Sequence, residues 1–151
     1  MAEFYAANNT IAYQTSPSGK IAPGEQGGRL RVAYDSFDLE AVTTSDTVDF
    51  MKIPAGARVL DVICYIPDTG GTSSTLVGWS ASADGGEAAD PNGFITATDT
   101  SGQDQKLEVV IAAAGVGKKF TEEVTLQLAP TVANWTSTSG TIHVFLEYIK
   151  E

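Results

Sequence analysis

A β-sandwich or jelly roll of about eight short antiparallel strands, preceded by an extended N-terminal arm, is the all-β architecture that three features of this sequence predict. The 151-residue chain is 42% hydrophobic but only 19% charged, and its apolar residues fall in β-branched runs separated by Gly, Ser, Thr and Pro. That composition favours short strands joined by polar turns. Several of the runs alternate apolar and polar residues with a period of two, whereas none combines a helical period with helix length and caps.

Residues 1–28 end in SPSGKIAPGEQGG, a Pro/Gly/Ser-rich stretch without periodicity, and read as an arm outside the core. The arm is not an ordinary solvated tail. Phe4, Tyr5, Ile11, Tyr13 and Ile21 make it apolar, and its only charges are Glu3, Lys20 and Glu25. Disordered linkers are richer in charge and poorer in aromatics, so two readings of this flexible arm stand, a fraying terminus or an arm that orders on a neighbouring subunit, and in the second these five side chains are the candidate partner-binding residues.

The β-sandwich domain is expected over residues 29–151. RLRVAYDSFDL alternates Leu30, Val32 and Tyr34 against Arg31, Ala33 and Asp35, as a half-buried strand does. TVDFMKI places Val48 and Phe50 on one face before Pro54 stops the ladder. In IPAGARV, Pro54 presets φ and Gly56 tolerates φ > 0, which suits a tight reversal between strands. ARVLDVICYI is apolar on both faces apart from Asp61, as a central strand would be. TLVGWSA (75–81), FITAT (94–98), KLEVVIA (106–112), EVTLQLA (123–129) and TIHVFLEYI (141–149) complete the set. The expected core comprises Leu30, Val32, Phe50, Val59, Leu60, Val62, Ile63, Leu126, Leu128, Val144 and Leu146.

A formal charge of −10 opposes approach to a phosphate backbone, so nucleic acid is not an expected partner. No basic residue lies between Arg58 and Lys106, while seven acidic ones do: Asp61, Asp68, Asp84, Glu87, Asp90, Asp99 and Asp104. The lone cysteine, Cys64, sits in an apolar run and reads as a buried small hydrophobe. No stretch approaches the roughly 20 apolar residues of a membrane span, so no membrane partner is expected. MAEFYAANNTIAY has neither a basic n-region nor an apolar h-region, and synthesis in the cytoplasm without an export signal is the expectation.

The search for chemistry returns little. AAAGVGKKF lacks the first Gly and the final Ser or Thr of a phosphate loop, which leaves Lys118 and Lys119 as a loop pair near Glu122 and Glu123. The acidic loop 83–93 carries Asp84, Glu87, Asp90 and Asn92, oxygen donors of the kind Ca²⁺ takes, without EF-hand spacing. His143 is the only histidine and cannot by itself build a zinc site or a triad, so a surface or subunit-interface position is expected. Asp46, Asp49 and Asp61 flank the Pro-Ala-Gly turn with nothing to mark them as an acid–base pair. Neither a catalytic set nor a cofactor is called for. Trp79 belongs to an apolar strand, whereas Trp135 lies in the polar loop PTVANWTSTSG and is the candidate exposed anchor.

GGRLRVAYDSFDLEA, followed by DTVDFMKIPAGARVLDVICYI and then TLVGWSA with its acidic loop, resembles a group of small tailed-bacteriophage virion proteins, the capsid decoration (cement) or minor head proteins. The resemblance spans about residues 27–98, with looser agreement in TIHVFLEYIKE. It implies a protein of the virion's outer surface, a homotrimer at local threefold positions that bridges major capsid protein subunits with the help of an N-terminal arm. Two other readings share the catalytically silent β profile. One is a carbohydrate-binding or head-fibre adhesion module with Trp135 and loop tyrosines as its platform, and the other a head–tail joining or tail subunit.

Overall fold

The computed structural model describes residues 29–108 and 114–150. The arm, with Phe4, Tyr5, Ile11, Tyr13 and Ile21, lies outside the described residues, as does the latter part of the KLEVVIA run. Eight strands follow in order: β1 (Leu30–Asp38), β2 (Val48–Ile53), β3 (Ala57–Ile66), β4 (Ser74–Trp79), β5 (Asp90–Asp99), β6 (Gln105–Glu108), β7 (Val124–Thr131) and β8 (Thr141–Lys150). No helix occurs among the described residues.

The strands form two four-stranded antiparallel sheets, β1-β8-β3-β6 and β2-β7-β4-β5. Pairing is nested: β1 with β8, β2 with β7, β3 with β6 and β4 with β5. A long double-stranded ribbon rolled over itself gives this pattern, which is the jelly roll. Most connections therefore cross between sheets, and the Pro-Ala-Gly turn is one of them. It carries the chain from β2 in the second sheet to β3 in the first. Gly56 adopts φ 79°, which costs a glycine little, and the Ala57 amide donates to the Pro54 carbonyl at 3.0 Å. The turn is tied down by the segment before β7, since the Gly56 and Phe120 amides donate to the carbonyls of Phe120 and Ala57, each at 2.8 Å.

Between the sheets, Val59, Val62, Cys64, Val144 and Leu146 meet Ile53, Val77, Leu126 and Leu128, all fully buried. Trp79, Phe94 and Phe120 close one end, with Trp79 edge-on to Phe94 and Phe120 at centroid distances of 5.0 and 5.1 Å. Gly93 permits this contact, because a Cβ there would fall 2.0 Å from the Trp79 ring. Burial pushes the Cys64 thiol up to about 12 and makes it inert, in keeping with its reading as a small hydrophobe.

Four expected core residues are not in the core. Leu30 and Val32 are 56% and 58% exposed; β1 turns its other face inward, through Ala33, Phe37 and, just past its end, Leu39. Leu30, Val32 and Tyr34 alternate perfectly, but period alone does not say which face meets the partner sheet. Leu60 is also exposed and Ile63 only half-buried. A β-bulge between Val59 and Asp61 is the cause: the register shift lets both Val59 and Val62 point inward and leaves Leu60 and Ile63 outside.

The acidic loop 83–93 is partly drawn into the domain. Asp90–Gly93 open β5, and Glu87 turns inward, accepting hydrogen bonds from the amide (2.8 Å) and hydroxyl (2.9 Å) of Thr121. Lys118 Nζ reaches Glu87 at 2.9 Å while lying over the Phe120 and Trp79 rings. Lys118 thus pairs with Glu87 and not with Glu122 or Glu123. Glu122 instead accepts from the Ser82 hydroxyl and the Gly86 amide. At the other end of the second sheet, Thr69, Thr75 and Thr100 form a buried hydroxyl cluster with 2.9 Å contacts from Thr100 to each of the other two.

Two outcomes follow for stability. Leu126→Ala should cost about 2–4 kcal/mol in chemical denaturation and Leu60→Ala about 0.5 kcal/mol or less, since only the first leaves a cavity. The amide and hydroxyl of Thr121, together with Lys118, hold the Glu87 carboxyl below its ordinary value of 4.5. A depressed folded-state value contributes stability that is complete above the unfolded value and is lost as pH falls through the folded one. Melting temperature should therefore decline below about pH 4.5, and Glu87→Gln should lower it at pH 7 while flattening that acid limb.

Candidate functional site: the outer face of the first sheet

Strand register places the side chains on the outer face of the β1-β8-β3-β6 sheet. One row runs Leu30, Ile149, Arg58; the next Val32, Glu147, Asp61; the third Tyr34, Phe145, Ile63, Glu108; the fourth Ser36, His143, Tyr65, Lys106. In most half-buried antiparallel sheets this face would be polar. Here its centre is apolar and open to water, with Tyr34 54% and Tyr65 44% exposed.

The aromatic side chains are in mutual contact. Phe145 lies 5.0 Å from Tyr34 and 6.1 Å from Tyr65 between ring centroids. The Tyr34 ring stacks on His143, and their Oη and Nδ1 atoms are 2.9 Å apart. His143 thus takes the surface position its strand implied. Val32, Ile63, Tyr65, Phe145 and Glu147 line a shallow groove of about 200 Å³. Charge enters at two places: Glu147, which lines the groove, is the register partner of Asp61 on the neighbouring central strand, and Lys106 forms an ion pair with Glu108, which raises its pKa, and lies 6.0 Å from the Tyr65 ring. An exposed cluster of aromatic and aliphatic side chains flanked by charged ones has the anatomy of a contact surface.

The remaining chemistry-bearing residues do not converge. Asp46 accepts from the Thr43 hydroxyl and amide, which lower its pKa, Asp49 from the Gln127 amide group, and Asp61 from the Val62 amide. Asp68 accepts from the Gly70 amide in its own loop and from the Gly102 amide in the loop between β5 and β6. Among the described residues no group of three His, Cys, Asp or Glu could hold a metal, and no helix is long and apolar enough to cross a membrane.

Trp135 is not an exposed anchor. Its side chain is fully buried, and its backbone pairs with Val42 in both directions at 2.9 and 3.3 Å. The polar loop is pulled onto the domain by this bridge, and Asn134 Oδ1 accepts the Thr44 amide at 2.9 Å. Nearby, Val132 has φ 70° and is exposed, strained by the tight Ala133-to-Thr131 hydrogen bond that lets the chain turn back. The residues that sequence reasoning missed as surface groups are Leu30, Val32, Tyr34, Tyr65 and Phe145. For Tyr65 and Phe145 the signal was present in ARVLDVICYI and TIHVFLEYI, where apolar residues occupy both faces, whereas alternation in RLRVAYDSFDL does not say which face of β1 points outward.

No family model and no curated protein matches the sequence. Solved structures do match in fold. A chain of the capsid of Ralstonia phage GP4 superposes with a TM-score of 0.66 at 18% identity, covering 94% of both chains. A chain of the cyanophage Pam1 capsid asymmetric unit gives 0.64 at 21% identity, over 93% of this chain and 100% of that one. A chain of the acidic stable capsid of Helicobacter pylori bacteriophage KHP30 gives 0.52 at 15% identity, over 80% and 86%. The likeness runs nearly from end to end in the first two, so the protein shares its whole jelly-roll fold with stand-alone chains found in phage capsids.

Proposed function

We propose that this protein is a structural component of a tailed-bacteriophage virion, a decoration protein that sits on the outer surface of the capsid and bridges major capsid protein subunits. The end-to-end fold likeness to chains of phage capsids carries the reading. Three properties of the chain support it. Its acidic balance, −10 overall, suits the exterior better than an interior packed with DNA. Its Asp46, Asp68 and Glu87 carboxylates are engaged in turns and loop ties. Its largest unexplained feature is an apolar surface next to the root of an apolar arm.

In this reading Phe4, Tyr5, Ile11 and Tyr13 contact neighbouring capsid subunits. One such arm buries modest apolar area, at about 25 cal/mol per Å², and must offset the entropy of its own ordering. A homotrimer changes the arithmetic, because once one arm is seated the others bind intramolecularly and avidity rises by roughly 10²–10⁴. Burial of Trp135 takes the tryptophan out of the platform expected for a carbohydrate-binding module. A head–tail joining or tail subunit would share the fold but occur as a single ring per particle, so copy number separates it from a decoration protein.

The test is to strip the protein from particles, follow genome release on heating, and add back either the full chain or Tyr5→Ala/Tyr13→Ala. Stripped particles should release DNA at a lower temperature, and the full chain should restore resistance while the double variant does not. Stripped particles as heat-resistant as decorated ones would remove the stabilising role. Because the contacts are largely apolar, attachment should also survive moderate salt, measured by cosedimentation across a salt series.

A further inference from the structure

The apolar outer face of the first sheet needs an occupant, and the chain supplies one of matching chemistry. We propose that the arm segment Lys20–Ile21 folds back over the face of its own domain, with Ile21 in the groove formed by Val32, Ile63, Tyr65 and Phe145 and with Lys20 at Glu147.

Three observations carry the assignment. The first is where the arm is rooted. It joins the domain at Leu30, and β1 is an edge strand that itself contributes Leu30, Val32 and Tyr34 to the open face. The nine residues from Ile21 to Leu30 span up to about 30 Å when extended, and Val32, which lines the groove, is only two residues beyond Leu30. Gly24, Gly27 and Gly28 lie within that stretch and permit the reversal.

The second is charge. Glu147 and Asp61 are register partners on adjacent strands, and like charges placed directly opposite are unfavourable. Lys20 is the arm's only basic residue before Arg29 and stands next to Ile21, so one short segment offers a cation for the acidic margin and an aliphatic side chain for the groove. The third is size. A groove of about 200 Å³ takes one branched aliphatic side chain and little more, which fits a single anchor better than the face of a second domain. Docking within one chain also has the advantage of high effective concentration.

This inference rests on the proposed function only for what the distal arm does: with Ile21 seated, Phe4 to Tyr13 would leave the domain in a fixed direction toward the neighbouring subunit. The seat itself is a property of the isolated protein and is tested without particles. Lys20→Cys/Glu147→Cys keeps the apolar anchor and replaces the ion pair with two thiols. Lys20→Cys/Thr96→Cys is the control, with Thr96 exposed on the second sheet. Cys64 is buried and does not compete. Under mild oxidation of dilute full-length protein, followed by non-reducing electrophoresis, the first pair should form an intrachain disulfide in at least tenfold greater yield than the control. Equal yields would mean that the arm has no seat on this face. Disulfides between chains would mean that the face takes the arm of another copy, and either result overturns the proposal.

Discussion

The first sheet carries an apolar cluster on its outer side as well as its inner one, and only the inner side has a partner within the described domain. β3 and β8 lie at the centre of their sheet, flanked by β1 and β6, so each must present one face to the core and the other outward. Val59, Val62 and Cys64 on β3, with Ile142, Val144 and Leu146 on β8, fill the inner face completely. The same strands then place Ile63, Tyr65 and Phe145 on a surface that the second sheet cannot reach. Burying these rings would be favourable by the same apolar transfer term that builds the core. The search for what buries them links fold to function.

The rest of the domain is held in a way that leaves that face free. The acidic loop is pinned by Glu87, Lys118 and Thr121 at the end where Trp79, Phe94 and Phe120 close the core. The loop after β7 is pinned by Trp135 against Val42. The segment before β7 is tied to the Pro-Ala-Gly crossing. The first two ties absorb Glu87 and Trp135, side chains that the sequence offered as candidates for cation or ligand contact.

Much of the fold was legible in the residues. Each of the eight strands overlaps an expected run and ARVLDVICYI matches β3 residue for residue, but β5 begins at Asp90, inside the stretch read as an acidic loop. What could not be read was orientation. In RLRVAYDSFDL either alternating set can face the core, and the choice of Ala33 and Phe37 over Val32 and Tyr34 is made by packing against the second sheet. A bulge adds one residue without a clear sequence mark, so Leu60 and Ile63 could not be told from Val59 and Val62. Trp135 sat in a stretch of Thr, Ser and Asn that composition marks as exposed, yet a long-range bridge buries it. These misreadings concern the same property, namely which apolar side chains stay on the surface, and that property defines the candidate site.

A reconstruction of the particle by electron cryomicroscopy tests the central claim most directly, since it reports both the environment of the outer face and the number of copies. The account predicts hundreds of copies on the capsid exterior, each with Tyr34, Tyr65 and Phe145 covered by protein density continuous with the chain entering β1. A bare outer face turned toward solvent, or a single ring of copies at one vertex, would contradict it.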